Sequence, residues 1–240
     1  MRRIGIAEVD CFDGPCNPNF RPCCNACGDR PMKVYVGNEG RIQALSYLAQ
    51  MGYGVLITAK YNDPDRFPYY CLDNGAYGAW RSGRKYDPKP FEASLKRFLE
   101  HERKPDFAVI PDIVAGGIKS LEHSISWLDK LPKEGQYYLA VQDGMTLDDL
   151  DDISLKRIHG LFVGGTLKWK IKTGELWVKY AHSKNIRCHI GRAGTFNRII
   201  WASRINADSI DSMSWARNDS YHILENAQTQ SNLAETKVSR

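Results

Sequence analysis

The sequence predicts an α/β protein built as a (β/α)8 barrel, a TIM barrel, somewhat irregular and preceded by a Cys-rich N-terminal arm. Three observations carry that expectation. Eight short β-branched or aromatic runs recur along the chain, helical patterns separate most of them, and carboxylates, carboxamides and glycines gather where the runs end. Parallel strands covered on both faces read as nearly continuous apolar runs, and strand alternating with helix is the mark of a parallel barrel.

In order, the runs are "KVYVG" (33–37), "GVLITA" (54–59), "YYCLDNG" (69–75), "FAVIPD" (107–112), "YYLAVQ" (137–142), "GLFVGG" (160–165), "RCHIG" (187–191) and "DSIDS" (208–212). Between them, Phe91, Leu95, Phe98 and Leu99 form one helical stripe. Ile118, Leu121, Ile125, Leu128 and Leu131 form a second. Phe196, Ile199 and Ile200 begin a third, with Thr195 as a candidate N-cap. One link breaks the alternation: "KYNDPDRFPYY" holds two prolines and has no room for a full helix, so the second crossover should be irregular. The organisation expected is an arm over 1–32, a barrel over 33–215 and a polar tail over 216–240, frayed or forming a surface helix.

A chain of 240 residues, 42% hydrophobic and 25% charged, is long enough for one such barrel and has the composition of an ordinary soluble globular protein. No apolar run approaches a membrane span, and "MRRIGIAEVDCFDG" meets carboxylates too early for a signal peptide, so a cytoplasmic protein is expected. The 33 Lys and Arg against 28 Asp and Glu give a net charge of +5, which mildly favours a polyanionic partner. Five of the seven cysteines, Cys11, Cys16, Cys23, Cys24 and Cys27, crowd one short stretch. In a reducing compartment such clustering points to zinc rather than disulfides, although free thiols in a loop rich in Pro and Asn fit the spacing too. Cys71 and Cys188 sit in apolar runs and read as small core residues.

In a barrel the reactive groups stand at the C-terminal ends of the strands. Those ends supply Asp73 and Asn74, Asp112, Gln142 and Asp143, Gly164 and Gly165, then Gly191, Arg192 and Gly194, and finally Asp211. Taken singly, each has a bland explanation. Asp73 before Asn74-Gly75 and Gln142-Asp143-Gly144 could be turns, Asp112 after Pro111 a helix cap, and Gly164-Gly165 a tight connection. Together, at matching strand ends, they describe one polar mouth.

The motifs resemble those of the guanine transglycosylases. "LDNGAYGAW" looks like the "DSGGFQ" element of that family, "AVQDG" like "VQGG", and "GLFVGGTLK" like "GGLAVGE". "IGRAGTFNRIIWASRINADSIDS" looks like "GVGTPEDIL…GVDMFDC", with two aspartates three apart, and "AVIPDIV" falls where that family reads its purine. The resemblance spans about residues 54–215. It implies Asp211 as nucleophile and Asp73 as general acid/base. Asp112, Gln142, Asn74, Gly191 and the Gly164–Gly165 backbone would hold the base. The chemistry implied is double displacement at C1′ through a glycosyl-aspartate. Only 29 residues, none of them Cys, follow Asp211, so the tRNA-docking zinc segment is missing. The expectation is therefore a DNA-guanine transglycosylase that inserts a 7-deazaguanine base such as preQ0 into phage or bacterial DNA. Its partners would be DNA, the free base and other proteins of a modification system. Zinc in the arm, and no organic cofactor, would complete it. Phosphate contacts would come from Arg81, Arg84, Lys85, Lys168, Lys170 and Lys172, with Trp169 stacking on a base; a solvated basic loop with a packed tryptophan is the plainer alternative. Rival readings are an RNA-acting relative, a nucleoside or glycoside hydrolase with the same carboxylate pair, and a non-catalytic nucleic-acid-binding barrel.

Overall fold

Eight parallel strands close into a barrel in chain order: β1 (Lys33–Gly37), β2 (Gly54–Ile57), β3 (Tyr70–Leu72), β4 (Ala108–Val109), β5 (Tyr137–Val141), β6 (Gly160–Val163), β7 (Arg187–Ile190) and β8 (Ser209–Ser212). β1 pairs with β2 on one side and with β8 on the other, so no edge strand is left. The computed structural model describes residues 32–59, 63–151 and 155–229, and the five clustered cysteines lie outside them. Every expected run contains a strand. The observed strands are shorter at the C-terminal end wherever polar residues take over. β4 stops before Ile110 because the Asn74 amide takes the Ile110 carbonyl, at 2.9 Å, and Pro111 has no N–H to pair.

The helices are α1 (Ile42–Gln50), α2 (Ala76–Arg81), α3 (Lys89–Glu100), α4 (Ile118–Leu128), α5 (Asp148–Asp151), α6 (Leu167–Ser183), α7 (Phe196–Arg204) and α8 (Ser214–Arg217). α3 buries Phe91, Leu95 and Phe98, the face its periodicity marks. α4 buries Leu121 and Leu128 but leaves Ile118 exposed at its start. The second crossover is irregular as expected: the described part of the β2–β3 link holds only a 3-10 turn at Pro64–Arg66.

Strand alternation sorts the core into two layers. Val34, Val36, Val55 and Ile57 point outward and pack under the helices. Tyr35, Leu56, Cys71, Phe107, Val109, Tyr138 and Ala140 fill the lumen. Phe107 and Tyr138 stack there at 3.9 Å between ring centroids, and Tyr35 meets Phe107 edge-on. Cys71 and Cys188 are both fully buried. Beyond β8, a helical segment at 222–229 buries Leu224 and Ala227 against the core. No helix among the described residues is long and apolar enough to cross a membrane.

Candidate active site

The closed barrel brings the polar strand ends to one mouth. Asp211, on β8, is 2% exposed. Its Oδ1 accepts from His189 Nε2 at 3.0 Å and from the Arg192 backbone N–H at 3.1 Å. His189, on β7, is fully buried, stacks on Phe162 at 4.6 Å, and places Nδ1 2.8 Å from Ser209 Oγ. A carboxylate at Nε2 requires the proton there, which leaves Nδ1 to accept from the Ser209 hydroxyl. The ring therefore fixes the direction of the Asp211 carboxylate.

Asp73 follows β3 and is half-buried, with its Oδ1 accepting from Gly75 N at 3.1 Å. Burial pushes its carboxyl up to about 6; the charges of Asp211 and Asp112 push the same way, against the pull of the Gly75 and Asn74 N–H groups. Asp112, past β4, is also raised by burial, while a hydrogen bond from Asn74 Nδ2 at 2.8 Å opposes the shift. Asn74 is thus committed on three sides: it donates to Ile110 O and Asp112 Oδ1, and its own oxygen accepts from Ala76 N. Gln142, 4% exposed, donates to Ile113 O and Ser120 Oγ and ties the loop after β4 to the end of β5.

The glycines after β6 and β7 serve the wall of the mouth. Gly165 has φ +69°, and a Cβ there would stand 2.5 Å from Asp143 Oδ2. Asp143 is bonded to both the Thr166 N–H and hydroxyl; although burial pushes its carboxyl up, these donors hold it below the usual carboxylate range. Gly164 packs on Val141 O, and the Gly191 carbonyl accepts from Lys170 Nζ.

Of the expected phosphate contacts, Arg81, Arg84, Lys85 and Lys168 are exposed. Lys170 is not on that surface, because at 3% exposure its ammonium is turned inward. Trp169 is half-buried against the core beside Trp177, 5.9 Å away, rather than laid open as a stacking platform.

Two groups of the mouth, His189 and Asn38, are not singled out in the sequence, and Arg192 is named only as a strand-end residue. His189 lies inside a strand, where an apolar neighbour on each side hides it. Asn38 directly follows β1, and its Oδ1 is buried without a hydrogen-bond partner among the described residues; its position at a strand end was a usable signal. Arg192 is a non-glycine residue with φ +59°. Its guanidinium donates to Gly165 O and lies over the Tyr77 ring at 4.8 Å. Tyr77 is on α2, just after β3, and β3 stands opposite β7 in an eight-stranded ring. The contact therefore crosses the mouth.

No family model matches the chain, and no curated protein matches it by sequence. Among solved structures it is similar to β-methylaspartase from Clostridium tetanomorphum in a Mg complex, with TM-score 0.51 and 10% identity over 87% of this chain and 60% of that one. It is also similar to Citrobacter amalonaticus methylaspartate ammonia lyase containing (2S,3S)-3-methylaspartic acid, with TM-score 0.50 and 12% identity over 85% of this chain and 59% of that one. The chain thus spans about 60% of the length of these structures. At such identity the likeness shows the barrel fold.

These neighbours correct the family expectation. They are ammonia-lyases rather than guanine transglycosylases, so the assignments to that family, to pentosyl transfer and to 7-deazaguanine insertion into DNA are withdrawn. The RNA-acting, hydrolytic and non-catalytic alternatives do not match the neighbours either. The physical reason is that the quoted motifs are four to six residues each. A strand end followed by glycine and a carboxylate is what any barrel mouth tends to contain. For metals, the expected zinc ligands are outside the described residues. Among the described residues no group of three or more His, Cys, Asp or Glu could hold a metal ion. Among the described residues the mouth carboxylates do not make a metal cage.

Proposed function

We propose that the chain is a lyase-type barrel enzyme in which Asp211 and Asp73 act as base and acid. The observation that carries this reading is the unlike setting of two carboxyls at one mouth. Asp73 is pushed up to about 6, mainly by burial, so it carries a proton to give in mildly acidic solution and in a minor fraction at neutrality. Asp211 accepts hydrogen bonds from His189 and the Arg192 N–H, which fix the direction of its carboxyl group. Paired groups set apart by their surroundings are how one site runs acid and base chemistry together. The barrel's likeness to two ammonia-lyases supports the reaction class.

In an elimination, Asp211 takes a proton from carbon and the C–H electron pair becomes the new C=C bond. The bond to the neighbouring hydroxyl or amine breaks with its electron pair, and Asp73 gives that leaving group its proton. His189 is a positioning residue, since it reaches the reacting atoms only through Asp211. The Asn38 oxygen, buried and unpaired among the described residues, is an acceptor for a ligand N–H or O–H.

The reading is tested by incubating the protein in D2O with a panel of amino and hydroxy acids, (2S,3S)-3-methylaspartate among them, and following C–H to C–D exchange and alkene signals by NMR. Exchange with the natural sequence and its loss in Asp211→Asn is the expected result. Exchange undiminished in that variant overturns the assignment of the base.

A further inference from the structure

Three cations converge where β7 turns into α7. Lys170 from α6, Arg192 from the turn and Arg198 from α7 line one narrow cleft with Gly191, Ala193 and Trp201. None of the three makes an ion pair with a carboxylate among the described residues. Lys170 and Arg192 each donate to a backbone carbonyl instead, Gly191 O and Gly165 O. The carboxylates within electrostatic reach are Asp211 and Asp143. The first is bonded to His189 and Arg192 N, the second to Thr166.

Gathering like charges and burying one of them is unfavourable unless an anion arrives to offset it. Burial and the neighbouring Arg192 and Arg198 charges lower the Lys170 ammonium to about 8.

We propose that this cleft is an oxyanion site that anchors a phosphate or carboxylate group of the substrate. Its geometry links it to the mouth through one residue: Arg192 bonds Asp211 with its N–H and reaches over the mouth with its guanidinium. The placement of the group on the substrate rests on the acid–base reading above; the anion site itself does not.

The experiment is titration calorimetry with inorganic phosphate, succinate and acetate on the natural sequence, Arg198→Gln, Lys170→Met and Asp73→Asn, with circular dichroism to verify folding. Saturable binding of phosphate or succinate is expected, weakened about tenfold or more in Arg198→Gln and Lys170→Met and kept in Asp73→Asn. Phosphate preferred over both carboxylates identifies a phosphoryl group, and the reverse a carboxylate. No saturable binding, or equal binding by Arg198→Gln, overturns the site, and because Arg198 is half-buried that variant stands in if Lys170→Met fails to fold. Cation-dependent binding by a protein that shows no carbon-acid exchange keeps the site and removes the acid–base reading.

Discussion

The two ends of the barrel handle charge in opposite ways. At the floor, Asp106 is matched to an ammonium, and it and Asp208 each take a further donor from a neighbouring strand or helix. Asp106 takes Lys33 Nζ at 2.8 Å and Tyr35 Oη at 2.6 Å; Asp208 takes His182 Nε2 at 2.9 Å and the Cys188 N–H at 2.7 Å. At the mouth, Asp73, Asp112 and Asp211 have no Lys or Arg ion pair among the described residues and rely on backbone, amide or imidazole N–H groups. The nearby cations bond to carbonyls. Lys33 offsets Asp106 at the floor, whereas Asp73, Asp112 and Asp211 stand at the mouth without a Lys or Arg partner among the described residues, the setting the proposed site needs.

The largest effect that would sharpen this contrast is at Asp211. Asp211→Asn should lower carbon-acid exchange by roughly 10²- to 10⁴-fold while the melting temperature moves little. At the floor the pattern should invert: Asp106→Ala should lower unfolding free energy by about 1–2 kcal/mol and leave exchange near its original rate. Equal losses of activity from both variants would erase the distinction.

Asp73 separates the two ends by pH. Its folded carboxyl titrates near 6, above the usual carboxylate value of 3.8. The folded state then holds more protons than the unfolded chain between those values, so this group's contribution to stability is present at low pH and lost as pH rises through about 6. Activity that needs the protonated acid should fall over the same rise. Asp73→Asn should flatten the stability profile, raise stability at neutral pH by about 1–3 kcal/mol and remove the activity limb near 6. A stability profile unchanged by the substitution would place the titration elsewhere. The smallest effect is expected from Tyr77→Ala, which removes the ring beneath Arg192. It should raise KM two- to fivefold with kcat little changed, the size of an exposed cation–π contact.

The contrast also explains how much was legible beforehand. Barrel class, the eight strands, the broken second crossover and the buried Cys71 and Cys188 follow from local apolar pattern and proline chemistry. Asp73, Asp112, Gln142 and Asp211 could be placed at the mouth because strand ends are visible in sequence. Which partner each side chain takes is set by neighbouring strands far away along the chain. That is why the Asn74–Asp112 bond, the His189–Asp211 pair and the inward turn of Lys170 could not be read. Asp208, just before β8, and Asp211, within it, lie three residues apart and face opposite ends of the barrel, one tied to His182 and the other to His189. The family likeness failed for the same reason: short motifs report the local need for a turn, whereas chemistry depends on what crosses the ring.

Phe107, Tyr138 and Tyr35 pack the lumen solid beneath His189. Among the described residues, access to Asp211 from the floor is blocked by that packing. If the mouth runs the proposed elimination, its product leaves past the same Arg192 and Tyr77 that its precursor passed. A product that keeps its anionic group then competes there with the next substrate, and competitive inhibition by product is the kinetic signature expected of the proposal.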